Sequence, residues 1–351
     1  MNLENIRKRI DILDIRIWGL LNERMEQALM ARRYKNQVAD LKRERRILDR
    51  IGECAPGLAS ETFLRRIYGE ILEESKRLQG QDKRLIAFQG EHGAFGEIAA
   101  LKWNKDLIPV PCGEFAEVFE GVGSGLYDLG IVPVENSLGG VVGQVNELVI
   151  TTDLHVVGAV RLPVHLCLLA APGTDHRDIR TVHSHPQALA QCRRFLSRNR
   201  LDPVPWHDTA GAARMISENR PGHSAAVASR LAARLYDLET LKEGIEDSPD
   251  NRTRFLVLSK EPGRGGGEKC SILFSTEHKA GTLFRVLEVF AARGINLTRI
   301  ESVPEGGGSY AFLLDFIGSD SDGNVMDALQ KVREITTRLR MLGCYVEKEA
   351  R

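Results

Sequence analysis

The chain has 351 residues and a mass of 39.1 kDa, and its 42% hydrophobic and 27% charged residues are ordinary for globular proteins. This composition excludes a wholly disordered or fibrous chain, and at roughly 100–200 residues per domain the length predicts two or three domains. The 48 basic and 48 acidic residues give no net charge, which argues against a general nucleic-acid binder. Residues 1–80 nevertheless hold 17 basic and 13 acidic residues, which suits an anionic small ligand as well as a polyanion.

The sequence predicts a cytoplasmic protein without a membrane segment. No run approaches the roughly 18 apolar residues of a membrane span, and the start, MNLENIRKRI, has no apolar signal core. The six cysteines are scattered without a CxxC pair, so we expect small core residues in a reducing compartment rather than disulfides. No HExxH or other metal-spaced cluster occurs, and we expect no metal.

The first 80 residues follow a helical period. Apolar residues recur every three or four positions from Leu3 to Leu20, through Ile6, Ile10, Leu13 and Ile17. The pattern continues past Met30, which predicts a long first helix in a helical bundle or a coiled-coil-like dimer. Pro56-Gly57 interrupts the helical pattern, and Ser60 is a candidate N-cap for a helix that continues through Leu78.

Polar residues fall on the apolar side of these helices. The stripe extends in register to Arg24 and Lys35, and Ser75 and Gln79 interrupt the stripe of the third helix. Buried cations need anions, so one interpretation is ion pairing to a neighbouring helix. Because polar groups intrude on all three helical segments, convergence on one polar pocket is the stronger interpretation.

With its polar residues in matching order along the helices, the segment from Leu3 to Gln79 resembles the all-helical chorismate mutase domain of bifunctional P-proteins. The resemblance implies an intertwined pair of protomers in which Arg7 enters the partner's site. Chorismate rearranges to prephenate without acid, base or cofactor, so the protein must hold a dianionic conformer and stabilise charge on the breaking ether oxygen. Glu44 would orient the substrate hydroxyl, and Lys35 and Gln79 would address the ether oxygen. The implied site residues are Arg7, Arg24, Lys35, Asp40, Arg43, Glu44, Ser75 and Gln79.

One spacing departs from that family. Only the residues NQVA separate Lys35 from Asp40, and a straight helix would turn Asp40 and Glu44 about 140° and 180° away from Lys35. A turn near residues 36–39 is therefore required for activity. The alternative is a degenerate mutase domain that serves only for dimerisation.

From Lys83 onward, short β-rich runs alternate with helical patterns, which predicts an α/β domain. The predicted strands include LIAFQ (85–89), DLGIVPVE (128–135) and RTRFLVLS (252–259), and PQALAQCRRFL (186–196) is a predicted helix. Gly90, Gly93 and Gly96 form a glycine turn that leads into a helix, which is either an anion site or a plain tight turn. Ser184, His185 and Asp208 fit helix caps as well as site positions.

The ordered set GEHGAFGE, PVENSLGG, SHPQALAQC, DTAGAA and NRTRF resembles prephenate dehydratases and plant arogenate dehydratases. The resemblance implies two α/β lobes like those of a periplasmic binding protein, with the site in the cleft and no metal. It also implies that Thr253 is the central catalytic residue, assisted by Asn136, Ser184, His185 and Gln191. Prephenate would lose its ring carboxylate and hydroxyl to give phenylpyruvate, and Arg254 or a helix N-terminus would anchor a carboxylate. The usual GTFS motif reads GAFG at 93–96, so this loop contributes only backbone donors.

After EPGRGGGE (261–268), a predicted flexible linker, the elements follow a βαββαβ order typical of ferredoxin-like domains. The segment KAGTLFRVLEVFAARGINLTRIESVPEG resembles the ACT domain of the same P-proteins, which implies a phenylalanine site between paired domains. Val303 replaces the arginine that usually follows Glu-Ser, and the alternative is a dimerisation module without ligand. The implied effector residues are Gly281, Leu283, Asn296, Leu297, Glu301 and Ser302.

We therefore expect three domains of different class: an all-α mutase domain at 1–80, a two-lobed α/β dehydratase domain at 84–260, and an α+β ACT domain at 268–351. The predicted function is conversion of chorismate to prephenate and then to phenylpyruvate, with feedback by phenylalanine, without a cofactor, in a homodimer or larger homo-oligomer. Two alternatives stay open: a dehydratase whose mutase domain is inactive, and a non-catalytic amino-acid sensor.

Overall fold

The computed structural model describes residues 2–54, 57–306 and 309–350. Residues up to Arg84 form one compact unit, here called the helical unit, and those from Leu85 onward form a second, the larger unit. Each unit is described by itself. No helix in the described part of the chain is both long and apolar enough to cross a membrane.

The helical unit contains three helices, α1 (Leu3–Arg32), α2 (Leu41–Cys54) and α3 (Glu61–Gln79). The predicted N-cap is confirmed, because the Ser60 hydroxyl accepts a hydrogen bond from the Phe63 N–H at 3.2 Å. Asp40 caps α2 in the same way, through the Arg43 N–H at 3.0 Å. The predicted break at Pro56-Gly57 lies partly outside the described residues, since Pro56 is not among them.

One expectation for α1 was wrong. The helix ends at Arg32, whose guanidinium donates to the Lys35 carbonyl at 2.5 Å, so Lys35 does not continue the helical stripe. The required turn is present, because residues 33–40 are not helical. The apolar stripe is exposed within one chain, from 42% at Ile6 to 63% at Leu20, and its pairing in a dimer stays a prediction. The C-terminal part of α1 packs on α3, with Leu29 buried.

The larger unit contains sixteen strands among its described residues. In chain order they are β1 (Leu85–Gln89), β2 (Ile108–Cys112), β3 (Leu129–Asn136), β4 (Gly140–Val141), β5 (His155–Pro163), β6 (Cys167–Ala170), β7 (Thr181–Ser184), β8 (Asp202–Pro205), β9 (Ser224–Ala228), β10 (Glu239–Lys242), β11 (Arg252–Ser259), β12 (Lys269–Ser275), β13 (Leu297–Gly306), β14 (Ser309–Ile317), β15 (Arg338–Tyr345) and β16 (Glu347–Glu349).

Nine α-helices and a short 3₁₀ turn (His176–Asp178) accompany these strands in the described residues. The helices are α4 (Phe95–Trp103), α5 (Phe115–Ser124), α6 (Gly143–Thr151), α7 (Pro186–Gln191), α8 (Arg193–Arg198), α9 (Thr209–Asn219), α10 (Arg230–Leu235), α11 (Thr282–Ala291) and α12 (Gly323–Ile335). The single helix predicted over 186–196 is thus two helices, which meet at Cys192.

Two mixed sheets form two lobes. Lobe 1 has the strand order β16-β5-β11-β3-β1-β2 with β4 beside β3, and lobe 2 has the order β10-β6-β9-β7-β8. The chain crosses between the lobes after β5 and again before β11, and the Val164 N–H donates to the Asn251 carbonyl at 2.8 Å where the crossings meet. The strand LIAFQ (β1) is almost wholly buried, as expected for a strand inside a parallel array.

The C-terminal domain is a four-stranded antiparallel sheet, β13-β14-β12-β15, with α11 and α12 packed against it. This confirms the predicted βαββαβ order. The last predicted strand of this order, over CYVEKE (344–349), was wrong as a single element. The sequence divides at Val346, and β16 leaves this sheet to pair in parallel with β5 of lobe 1. The C-terminal segment therefore adds an edge strand to the lobe 1 sheet.

Candidate active sites and effector pocket

Three side-chain amides, here called the amide ring, bond to one another where the two lobes meet, and one of them contacts Thr253. Thr253 on β11 and Asn136 on β3 are register partners, and the Asn136 Nδ2 donates to the Thr253 hydroxyl oxygen at 2.9 Å. The same Nδ2 lies 2.8 Å from the Asn251 Oδ1. Asn251 donates to the Gln191 Oε1 at 2.9 Å, and Gln191 donates back to the Asn136 Oδ1 at 3.3 Å. Three of the expected site residues therefore meet in one network.

Asn251 is the member that sequence reasoning missed. It is 1% exposed, and its amide links Asn136 on β3 of lobe 1 to Gln191 on α7 of lobe 2. The available signal was its position as the first residue of NRTRF, two positions before Thr253.

Ser184 lies at the end of β7 but does not join this network. Its side chain is fully buried, and its hydroxyl donates to the Val227 carbonyl on β9 at 2.6 Å. The contact ties two strands of lobe 2 together. The structure therefore gives Ser184 a bracing contact beneath the loop that carries His185.

His185 is the N-cap residue of α7, and its Nδ1 accepts a hydrogen bond from the Gln187 N–H at 3.2 Å. Accepting at Nδ1 requires the unprotonated nitrogen there. Partial desolvation lowers the pKa of His185, and the negative charge of Asp208 opposes this shift. The structure favours a neutral imidazole.

The glycine turn of lobe 1 makes close contact with lobe 2. Gly93 has φ of +91°, and a Cβ added there would lie 2.8 Å from the backbone of Ala232. The Ser229 hydroxyl donates to the Gly93 carbonyl at 2.5 Å. The Gly93 N–H is used by the Glu97 carboxylate at 2.6 Å, and Ala94 provides no side-chain cap for α4. The turn thus fits closely against lobe 2, consistent with the absence of the usual hydroxyls.

A second polar contact between the lobes lies beside this turn. Glu91 of lobe 1 is 3.3 Å from the Arg214 Nη1 and 3.5 Å from the His207 Nε2 of lobe 2. Asp208 follows His207 and caps α9 through the Gly211 N–H at 2.6 Å. Glu91 and Arg214 carry opposite charges, so this pair helps to hold the two lobes together on this side.

Arg254 is not available as an anchor for a substrate carboxylate, which corrects that expectation. Its side chain is 2% exposed and points away from Thr253, since neighbouring residues on a strand face opposite sides. It contacts Asp315 and Glu347, each at 2.5 Å, and donates to the Tyr345 hydroxyl at 2.9 Å. All three partners belong to the C-terminal domain or the strand that follows it.

The helical unit brings part of its expected site together. The Arg24 Nη1 donates to the buried Ser75 hydroxyl at 2.7 Å, and Gln79 donates to the Ser75 carbonyl at 3.1 Å. Lys35 and Gln79 line one pocket beside the end of α3, and the Gln79 Oε1 is buried without a hydrogen-bond partner. Glu44 pairs with Lys76 of α3 at 3.3 Å.

The other expected mutase residues lie elsewhere in the unit. Arg7 is exposed on the distal part of α1, and Asp40 and Arg43 are exposed at the start of α2. Within one chain Arg7 is therefore about 25 Å from Arg24 along α1, and the exposed stripe of α1 lies on the same helix as Arg7.

The C-terminal domain has a pocket at the turn that precedes α11. Three of the expected effector residues line it: Gly281, Leu283 and Ser302. The rings of His278 and Tyr310 lie 6.1 Å apart at its edge. Val303 is 8% exposed, so it faces away from this pocket into the packed side of β13. The expected effector residues outside the pocket lining are Asn296, Leu297 and Glu301.

Comparisons with known families agree with this organisation. Three family models match: chorismate mutase type II over residues 6–80, prephenate dehydratase over residues 86–263, and the ACT domain over residues 271–334.

Similar proteins cover both the whole chain and the larger unit. A bifunctional chorismate mutase/prephenate dehydratase of Pseudomonas aeruginosa is 35% identical over 98% of this chain and 97% of its own length. Arogenate dehydratase/prephenate dehydratase 2 of Arabidopsis thaliana, a chloroplastic protein, is 44% identical over 74% of this chain and 72% of its own. The solved structure of a prephenate dehydratase of Arthrobacter aurescens in complex with L-Phe aligns with a TM-score of 0.69. It is 33% identical and covers 75% of this chain and 89% of that one.

The chain belongs to the prephenate dehydratase family, in the bifunctional form that joins a chorismate mutase domain, a dehydratase domain and an ACT domain. It is an enzyme of phenylalanine biosynthesis.

Proposed function

We propose that Thr253 is the catalytic residue of the dehydratase and that the amide ring orients its hydroxyl. The observation that carries this is the hydrogen bond from the Asn136 Nδ2 to the Thr253 oxygen at 2.9 Å. Because the threonine oxygen accepts at that point, its own proton is free to be donated elsewhere. That proton is directed at the departing ring hydroxyl of prephenate, which gains negative charge as its bond breaks.

A threonine hydroxyl is a weak acid, so its contribution is a hydrogen bond to the leaving group, while aromatisation of the ring provides the driving force. Gln191 and Asn251 hold Asn136 in position through their mutual hydrogen bonds. His185, kept neutral, caps the N-terminus of α7 through the Gln187 N–H. Ser184 braces the loop beneath it. No metal or other cofactor is required by this chemistry.

Prephenate is the substrate we propose, because the mutase domain of the same chain produces it from chorismate. The plant relative named above carries both arogenate and prephenate in its name, and these substrates differ in one side-chain group. Arogenate is therefore the competing substrate to be tested.

For the mutase we propose that two copies of the chain complete the site. Arg24, Lys35, Ser75 and Gln79 form the part that one chain supplies, with Asp40, Arg43 and Glu44 at the start of α2. The exposed stripe on α1 needs an apolar partner, and a second α1 offers a complementary one. Pairing would bring Arg7 of one chain to the pocket of the other, in a homodimer or a larger assembly.

Phenylalanine is the effector we propose for the C-terminal domain. The pocket there combines polar groups at Ser302 and the α11 turn with the rings of Tyr310 and Phe312 and the apolar Leu283, which suits an amino acid with an aromatic side chain. Asn296, Leu297 and Glu301 lie on the same strand or the loop before it, where a paired domain could use them. Binding would lower dehydratase activity by favouring a less active state of the cleft.

We propose the domain limits 1–80, 84–260 and 268–351, and a cytoplasmic location. The cysteines whose side chains the structure describes are all free and buried, which suits a reducing compartment.

The test is to supply chorismate to the purified chain and to follow chorismate, prephenate and phenylpyruvate together. Consumption of chorismate with transient prephenate and accumulating phenylpyruvate is expected. Parallel reactions start from prephenate and from arogenate, and each is repeated with added phenylalanine. Untouched chorismate with converted prephenate would mean an inactive mutase domain, and binding of phenylalanine without turnover of any substrate would mean a sensor.

A further inference from the structure

The strand pair that carries Thr253 has two faces with different functions. On one face Asn136 and Thr253 are cross-strand partners at the cleft. The next pair in the register is Glu135 and Arg254, which point to the opposite face, since side chains alternate along a strand. That opposite face meets the C-terminal domain. Any displacement of the Glu135–Arg254 pair therefore acts directly on the pair at the cleft.

The C-terminal domain presents a matching pair. Arg299 on β13 and Asp315 on β14 are register partners, and both side chains are at most 5% exposed. Asp315 contacts Arg254 at 2.5 Å and Arg299 at 3.8 Å, while Glu135 lies 3.7 Å from Arg254 and 3.8 Å from Arg299. These four residues form a charge square, with two positive and two negative corners, two from each domain.

The charge square is set among further polar groups. Arg254 also contacts Glu347 and Tyr345, and Glu347 in turn contacts Lys269 at 3.2 Å. The Ser271 hydroxyl donates to Asp315 at 2.5 Å, and Arg299 donates to Asn146 at 2.7 Å. The Arg299 Nε, by contrast, is buried without a hydrogen-bond partner among the described residues. The two contacts of Arg299 within the square, each 3.8 Å, are the longest of the square.

Three corners of the square, Arg254, Arg299 and Asp315, are almost fully buried. A buried charge that loses its partner is strongly destabilised, so the square changes from one pairing to another rather than stretching gradually. Such a network is able to switch between discrete arrangements, which a ligand can favour or disfavour.

The strand of Arg299 also leads to the effector pocket. Ser302, three positions further along β13, lines that pocket, and Glu301 lies between them. A ligand that shifts β13 therefore moves Arg299 directly, because both residues belong to the same strand of a packed sheet.

We propose that the charge square Glu135–Arg254–Arg299–Asp315 couples the effector pocket to the catalytic strand pair, with Arg299 as the corner that moves. An effector at Ser302 displaces β13 and re-pairs Arg299, which shifts Arg254 and Glu135 and thereby misplaces Thr253 and Asn136. This inference rests on the proposed inhibition by phenylalanine. The residues of the square are positioning residues and do not touch the substrate.

Another arginine at the same domain contact provides a matched control. Arg340 on β15 donates to the backbone carbonyls of Val149 and Thr152 at the end of α6, and it does not contact the charge square in the described structure. Arg340→Gln removes an arginine at the same contact between domains without removing a corner of the square.

The experiment compares wild type, Arg299→Gln and Arg340→Gln as full chains. Calorimetry gives the phenylalanine dissociation constant, and the ratio of dehydratase rates with and without saturating phenylalanine gives the inhibition, independent of the basal rate. For Arg299→Gln we expect phenylalanine to bind within about threefold of wild type while the inhibition falls at least fivefold, at the low end of typical coupling. Arg340→Gln should keep most of the inhibition. Arg299→Lys, which keeps the charge, should lie between wild type and Arg299→Gln.

Full inhibition of Arg299→Gln would overturn the proposal, and so would an equal loss in Arg340→Gln, since the whole contact would then transmit the effect. If Arg299→Gln fails to fold by circular dichroism, Glu135→Gln replaces it, because Glu135 is 32% exposed and the substitution keeps its size. A wild type that binds phenylalanine without inhibition would refute the proposed regulation itself, and the coupling with it.

Discussion

The helical unit and the larger unit differ in how far their apolar surfaces and polar side chains find partners within one chain. In the larger unit, Thr253, Asn136, Gln191 and Asn251 complete one another's hydrogen bonds within a single chain. In the helical unit the apolar stripe of α1 is about half exposed, and the Gln79 Oε1 has no hydrogen-bond partner among the described residues. The difference supports our proposal that the dehydratase site is formed within one chain and that the mutase site takes residues from a second copy.

The largest expected effect is a loss of dehydratase activity in the larger unit without a loss of mutase activity in the helical unit. Thr253→Ala removes the donor to the leaving hydroxyl, and we expect the dehydratase kcat to fall by about 10²-fold or more, as for the loss of one transition-state hydrogen bond. Mutase activity should be unchanged when chorismate consumption is followed. Thr181→Ala is the control, because Thr181 is also a strand residue whose hydroxyl has a partner, Ser224 at 2.9 Å. Thr181 begins β7, at the opposite end of that strand from Ser184. Near-normal turnover by Thr253→Ala would remove Thr253 from the mechanism.

The next prediction addresses the dependence on a second copy. Leu13→Glu places a carboxylate on the exposed stripe of α1. If a partner helix covers the stripe, burying this charge costs several kcal/mol, and each 1.4 kcal/mol is a factor of about ten in the dimer dissociation constant.

We therefore expect a smaller assembly by light scattering, together with a loss of mutase activity and little change in the dehydratase. Asn22→Glu adds the same charge on the opposite side of α1, nine positions along, and should leave both unchanged. Equal mutase activity in Leu13→Glu and wild type would show that one helical unit is sufficient by itself.

A third prediction concerns the close fit between the lobes. Gly93→Ala faces two costs, a positive φ and a Cβ 2.8 Å from the backbone of Ala232. Gly173→Ala has the first cost alone, since its φ is +76° and nothing lies within 4 Å of the added Cβ. The difference between the two variants in free energy of unfolding, measured in urea, should be roughly 1–3 kcal/mol. Equal destabilisation would mean that the lobes tolerate separation at this turn.

The smallest expected effect is a dependence on pH. Because the pKa of His185 is lowered in the folded state, its neutral form contributes stability above the unfolded pKa of about 6.5, and this is lost as the pH falls below that value. His185→Asn keeps a residue that caps helices but removes the titration. Between pH 7.5 and 5.5 the melting temperature of wild type should fall more than that of His185→Asn. Solvent screening limits the difference to about 1 °C. Parallel curves would show that His185 does not titrate in this range.

Much of the architecture could be predicted from local patterns. The alternation of short apolar strands with helices predicted an α/β domain, and its division into two lobes came from the family resemblance. Local patterns also predicted the N-cap at Ser60 and the βαββαβ order. Asn136, Gln191 and Thr253 were recognisable by motif order, although they are 117 positions apart at the extremes.

The remaining features depend on tertiary contacts that leave no periodic signal. Residues 33–40 contain no glycine or proline to mark the end of α1, so the helical phase carried Lys35 onto the wrong face. The sequence alone indicates only that Asn251 flanks a strand, and its place in the amide ring follows from its contact with Gln191 in the fold. Arg254 follows the threonine that we propose as catalytic, so its sequence position favours a substrate role. Only the position of Asp315, 61 residues later, shows which charge neutralises Arg254.

The edge strand β16 has a consequence for the order in which the protein can be built. The lobe 1 sheet contains strands from both sides of the C-terminal domain in the sequence, because β16 follows that domain and pairs with β5. During synthesis on the ribosome, the open edge of β5 is covered only after the C-terminal domain and β16 have been synthesised. An uncovered strand edge is a site for unwanted pairing with other chains. Biosynthesis therefore exposes this edge of the catalytic lobe for the time taken to translate the regulatory domain, and maturation of the dehydratase is tied to completion of its own regulator.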